Sequence, residues 1–200
     1  MLRIKIDYSK VDEARPEAVE SSVIDGDDTE IGIRIDKSYF EEQFYVGEAE
    51  YVIDTRGAAE DILIAEQVLT DFFSQNSIMC MDFADCNYMM KGRLIYAGAG
   101  KAAGKNRVQE TAQAAIDNLS AKVCISEIKN FLIMLKNFTG LHEIHNVMKY
   151  VRQQLADDFK VDIGDDDLWI VPGAIGGRNP DGTEAEKELE ITIIAAEDVE

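Results

Sequence analysis

Two hundred residues, 46% of them apolar, are enough for one folded domain with a buried core, or one domain with a sizeable appendage. A net charge of −19, from 39 acidic against 20 basic residues, excludes sequence-independent nucleic-acid binding, which needs a cationic face, and disfavours an anionic membrane surface on the same ground. No run approaches the roughly 18 apolar residues that cross a bilayer, and no apolar leader follows Met1, so a cytoplasmic protein is expected.

Residues 2 to 8 alternate Leu2, Ile4, Ile6 and Tyr8 with Arg3, Lys5 and Asp7, the period of two that a half-buried strand requires. From Ser9 to Glu30 the chain carries eight carboxylates, Pro16 and the turn-prone Asp25-Gly26-Asp27-Asp28, and it reads as a long acidic connection. The ligand spacing of a calcium loop is not met there. Ile31, Ile33 and Ile35 alternate again, as do Ala49, Tyr51 and Ile53, which predicts a small antiparallel appendage over residues 1–55.

Arg56-Gly57 punctuates the chain before a helix whose apolar residues Ala58, Ile62, Ala65, Leu69 and Phe72 recur at helical spacing, with Leu63, Ile64, Val68 and Phe73 widening the stripe. Met79 to Cys86 then holds two carboxylates, Asp82 and Asp85, three apart in an otherwise apolar run. As N-cap and first-turn acid of a short helix to about Met90 they would satisfy orphan amides and oppose the helix dipole, worth roughly 1 kcal/mol. A strand around Arg93 to Ala97 runs into Gly98-Ala99-Gly100-Lys101-Ala102-Ala103-Gly104-Lys105-Asn106. This segment fails the Walker pattern, with Ala99 and Asn106 at its required positions, and fails the dinucleotide pattern by one residue between Gly100 and Gly104. A glycine-rich strand-to-helix turn remains, with Asn106 and Gln109 spaced as a capping box.

Val108, Ala112, Ala115, Ile116 and Leu119 predict the next helix, and the continuous run Phe131 to Leu135 predicts a central strand covered on both faces. Leu141, Ile144, Met148, Val151 and Leu155 predict an amphipathic helix from about Thr139-Gly140. His142 and His145 share that helix at a spacing of three but lack a third ligand, so no metal is expected. Leu168 to Val171 begins a strand that Pro172 pushes towards a sheet edge or a bulge, and Leu189, Ile191, Ile193 and Ala195 alternate in the last strand. A hairpin between these two strands is the expected connection. Cys80, Cys86 and Cys124, odd in number and without Cys-x-x-Cys spacing, are read as reduced core residues.

Four stretches in this order are similar to one family: Met81 to Asp85; Lys91-Gly92-Arg93 with Gly98 to Arg107; Asn137-Phe138-Thr139-Gly140-Leu141-His142-Glu143; and Glu190 to Ala196. Together with the element order from Ala58 onwards they resemble the C-terminal domain of the bacterial tubulin homologue FtsZ and the helix leading into it. The resemblance implies an α+β fold, a two-layer sandwich with a mixed four-stranded sheet packed on helices. A connecting helix at residues 56–78 and the β appendage at 1–55 would precede the sandwich at 79–200. It implies no nucleotide-binding domain within these residues, since 1–55 is too short and too poor in glycine, and hence no enzyme in cis and no cofactor. What it retains is the loop that reaches onto the nucleotide of the next subunit in the family's filament. Asp82 and Asp85 match that loop's two acids, and Cys80 stands where the family usually has asparagine. These three are the expected partner-contacting residues.

Three functions from different classes follow: a non-GTPase binding or regulatory module that docks on an FtsZ-like filament through the Asp82–Asp85 loop, a self-associating structural protein, or a domain reused for small-ligand binding. No nucleophile–base set or metal cluster favours an enzyme. The expected partners are an FtsZ-like GTPase or a second copy of the chain, with neither nucleic acid nor membrane.

Overall fold

The computed structural model describes residues 2–7, 19–24, 28–33, 48–53, 55–74, 81, 83–164, 168–175 and 188–198. Within the first 53 residues the described ones form a sheet of β1 (Leu2–Asp7), β2 (Val19–Ile24), β3 (Asp28–Ile33) and β4 (Glu48–Ile53), in the order β2-β3-β1-β4. β4 runs antiparallel to β1, with Leu2 opposite Ile53, whereas β1 and β3 are parallel, so the appendage is mixed rather than antiparallel. β2 and the start of β3 fall inside the segment expected to be an acidic connection, and they pair antiparallel with a bulge between Val19 and Ser22. The density of carboxylates hid a strand there: Val19, Val23 and Ile24 are β-branched, and the ladder is made by backbone groups that any side chain permits. The expected acidic turn lies only partly within the described residues, which resume at Asp28.

Among the described residues the main sheet has five strands instead of four. β5 (Arg56–Gly57), β6 (Arg93–Ala102), β7 (Asn130–Lys136), β8 (Trp169–Ile175) and β9 (Leu189–Asp198) lie in the order β5-β6-β9-β7-β8. The extra strand is Arg56–Gly57, which pairs parallel with Leu94 and Ile95; two residues are too short to show any alternation in sequence. The hairpin expected between β8 and β9 does not form. β7 lies between them, parallel to β8 from Asn130/Trp169 to Lys136/Ile175 and antiparallel to β9. A strand buried on both faces and both edges outcompetes the chain-local pairing, and Pro172 does sit on an edge strand.

Among the described residues four α-helices cover the sheet: α1 (Ala59–Ser74), α2 (Phe83–Met90), α3 (Arg107–Ser120) and α4 (Leu141–Asp157). They occupy both faces, not the one face of a two-layer sandwich. Ile62, Ala65, Leu69 and Phe72 of α1 and Cys86, Met89 and Met90 of α2 bury against Ile95, Ala97, Leu132, Met134, Ile194 and Ala196. On the opposite face Ala112, Ala115, Ile116 and Leu119 of α3 and Ile144, Val147, Val151 and Leu155 of α4 bury against Phe131, Ile133, Leu135, Ile191, Ile193 and Ala195. The side chains of β7 and β9 thus alternate between two cores, as the apolar run from Phe131 to Leu135 predicts. β3 lies against α1, β4 against α2, and Ile53 is fully buried in the core that the two helices share. Leu63, expected to widen the stripe of α1, is exposed. No helix among the described residues is long and apolar enough to cross a membrane.

Candidate functional site

Asp85 stands in the first turn of α2 and is half-buried. Cys80 and Asp82 lie outside the described residues, and so does the expected role of Asp82 as N-cap. What α2 rests on is well defined. Cys86, Met89 and Met90 are essentially fully buried beneath it, with Met81 beside them. The helix has no basic residue in its last turn, and its C-terminal carbonyls are served from outside by Arg93. Gly92, at φ +73°, turns the chain through a left-handed conformation that suits glycine, and brings Arg93 back onto the helix it has just left. The guanidinium donates to the Tyr88 carbonyl and, at 2.9 Å, to that of Met89, while Nε donates to Asp198 at 2.6 Å. Above it the Tyr88 ring meets Trp169 of β8, centroids 4.8 Å apart and tilted by 46°. Lys91-Gly92-Arg93, read from sequence as a motif, is therefore the clasp that fixes α2.

A second motif, Asn137 to Glu143, ties together the starts of α3 and α4. Glu143, in the first turn of α4, takes a two-pronged bond from Arg107, both contacts 2.7 Å, and accepts from the Thr139 amide at 2.6 Å and its hydroxyl at 3.0 Å. Burial alone raises the Glu143 carboxyl, but the donors from Arg107 and Thr139 outweigh it and hold it below the usual carboxylate value. Asn137, at φ +59°, turns the chain out of β7 and donates to the Glu188 carbonyl at 3.2 Å. Phe138 is buried in the core beneath.

Only the end of the glycine-rich segment, Ala103 to Asn106, forms the expected strand-to-helix turn, with Gly104 at φ +88°. Gly98 and Gly100 belong to β6, which continues to Ala102, and they lie directly under α3. A Cβ on Gly98 would sit 2.3 Å from the Ala115 carbonyl oxygen, and one on Gly100 would sit 2.1 Å from that of Thr111. The missing side chains are filled by a helix, which leaves no room for a phosphate over them. Asn106 does occupy the N-cap position of α3, but at φ −98° and ψ 10° it is outside the extended region and makes no side-chain cap, so the capping box is absent. His142 and His145 are exposed, and no group of residues suited to hold a metal occurs among the described residues. Cys86 is buried as expected, whereas Cys124 is exposed and lies 3.2 Å from the Ser126 hydroxyl; Cys80 is outside the described residues.

Sequence reasoning missed one further polar group. Asp61 on α1, nearly fully buried, meets Lys122 at 2.6 Å, and the pair serves the edge of β6: the Ala97 amide donates to Asp61 at 3.2 Å and Lys122 donates to the Ala97 carbonyl at 2.8 Å. Sixty-one residues separate the partners, and neither stands in a recognisable pattern.

No family model matches the chain. Over 136 residues it is 32% identical to cell division protein FtsZ 2 of Rhizobium meliloti (strain 1021), a match that takes in 62% of this chain and 37% of that protein. The match thus spans little more than a third of the curated relative's length. Among solved structures, an empty FtsZ dimer from M. jannaschii superposes with a TM-score of 0.50 at 17% identity, over 84% of this chain and 44% of that one. A single-residue variant of FtsZ from the same organism gives 0.48 at 18% identity, over 82% and 46%.

Proposed function

We propose that the chain, which is similar to FtsZ over part of that protein's length and has a mixed sheet and four α-helices among its described residues, is an FtsZ/tubulin-like protein acting as a non-GTPase binding or regulatory module. In this reading residues 79–200 carry the contact face, 56–78 connect, and 1–55 form an appendage. The module docks on an FtsZ-like filament through the Asp82–Asp85 loop, with Cys80 beside it, and modulates turnover of the partner's GTP in trans. The observation that carries the reading is the position of Asp85. It lies in the first turn of a helix clasped on its inner side and at its C-terminus, so its carboxylate is held on a rigid element near the surface. A role in cell division accords with the similarity to a cell division protein.

The test is to mix the protein with an FtsZ-like GTPase and measure both GTP turnover and co-sedimentation with the filaments. Wild-type protein is expected to change both and Asp85→Ala neither; unchanged turnover and no co-sedimentation for the wild type would sink the proposal. The second reading is self-association through the N-terminal strands, favoured by β2 and β4 being the outer strands of the first sheet. It predicts a light-scattering mass that rises with concentration in the absence of any partner.

A further inference from the structure

Large apolar side chains left in water need a reason when they cluster, and two of the four large apolar side chains exposed among the described residues touch each other. Tyr88 is 55% exposed and Trp169 40% exposed. Neither is on a loose loop: Tyr88 belongs to the clasped α2, and the Trp169 amide donates to the Lys129 carbonyl at 2.7 Å where β8 begins. The Tyr88 ring already receives a guanidinium, with Arg93 Cζ 5.9 Å from its centroid. Asp85 precedes Tyr88 by three positions on the same helix, the spacing at which helix side chains are neighbours. An aromatic platform with a carboxylate one turn away is complementary to a cation on a flexible stem, and a chain of net charge −19 draws cations while repelling a second copy of itself.

We propose that Tyr88 and Trp169, with Asp85, form the docking surface for an arginine- or lysine-bearing segment of a partner protein. This rests on the docking reading above, since both place the partner at α2, and it adds the chemistry that the partner must present. The segment lies across side chains and does not add to β8 as a strand. Trp169 directs its amide towards β7, so in the alternating phase of a parallel ladder the outward-facing positions are Ile170, Pro172 and Ala174. The middle one is a proline with no N–H to offer.

Trp169 is the only tryptophan in the chain, so its emission reports occupancy directly. A ten-residue peptide of alternating arginine and glycine, titrated into the full-length protein, is expected to give a saturable change in that emission. Binding should be about tenfold weaker for Tyr88→Leu and retained by Tyr88→Phe, which keeps the ring. Asp85→Asn should also weaken it, and Glu110→Gln, at an exposed position of α3, should not. Equal losses in Glu110→Gln and Tyr88→Leu, or undiminished binding by Tyr88→Leu, would mean diffuse attraction of a polycation and would overturn the proposal; so would saturation without any change in emission. Loss of co-sedimentation in Asp85→Ala together with unaltered peptide binding by Tyr88→Leu overturns this inference and leaves the docking reading standing. Ring-dependent peptide binding without co-sedimentation does the reverse.

Discussion

At the scale of single residues, the pair Arg107–Glu143 has the sharpest consequences. Its side chains are 14% and 11% exposed, so the two-pronged bond is only partly screened by water. Replacing Arg107 by alanine leaves Glu143 with the Thr139 donors alone, and the expected loss is roughly 1.5–3 kcal/mol in a urea melt at neutral pH. The sign of the acid response follows from the depressed carboxyl. Its folded value lies below the unfolded one of about 4.3, so the stabilisation is present above that value and is lost as pH falls through the folded value. Melts at pH 7 and about pH 3 should therefore differ less for Glu143→Gln than for the wild type. An equal difference in both would show that other carboxylates carry the acid response. The residues of this clasp were visible in sequence as a motif, but their partnership was not. Arg107 and Glu143 are separated by a helix and a strand, and only the packing of α3 beside α4 brings them together.

At the scale of elements, the two sides of the main sheet are blunted by different means. On the β6 side Thr55 donates to the Arg93 carbonyl, β5 pairs at Leu94 and Ile95, Asp61 and Lys122 serve Ala97, and Asn118 donates to the Ala99 carbonyl at 2.6 Å. Side chains thus complete the edge that a two-residue strand leaves unfinished. Lys122→Met leaves the buried Asp61 carboxylate without its cation and should cost about 3 kcal/mol, whereas Asp61→Asn with Lys122→Met together should cost less than the sum of the single changes. Additive losses would mean that the two side chains act independently. On the β8 side, Pro172→Val restores an outward donor and is expected to give association that grows with concentration by light scattering, which the wild type would not show through this edge. The contact of β6 with α3 gives a third expectation. Gly100→Ala drives a methyl into the Thr111 carbonyl and should cost about 1–3 kcal/mol, while Gly104→Ala, with open space around it but φ +88°, should cost about 1 kcal/mol. Equal thermal shifts for the two would remove close helix approach as the role of Gly100.

At the scale of the whole molecule, periodicity in the sequence determined what depends on one element and its own faces. The helices at Ala59–Ser74, Arg107–Ser120 and Leu141–Asp157, the doubly buried β7 and the edge position of Pro172 were all legible, because burial imposes a period of 3.6 or 2 on the residues that face a core. The resemblance to FtsZ was legible too, because its motifs are local: Gly92 is a glycine for its left-handed turn, and Asn137 sits where the chain must leave β7 with positive φ. Tertiary structure decided what depends on two elements at once. It made Gly98 and Gly100 a seat for α3 instead of a turn, inserted β7 between β8 and β9, put helices on both faces of five strands, and found strands in an acidic stretch. It also set Tyr88 against Trp169 across 81 positions, the juxtaposition on which the cation-docking surface rests. The physical reason is common to all of these. A side-chain period records whether a residue faces a core, whereas strand order, edge closure and ring contact depend on which distant backbone supplies the partner, and that choice leaves no period behind.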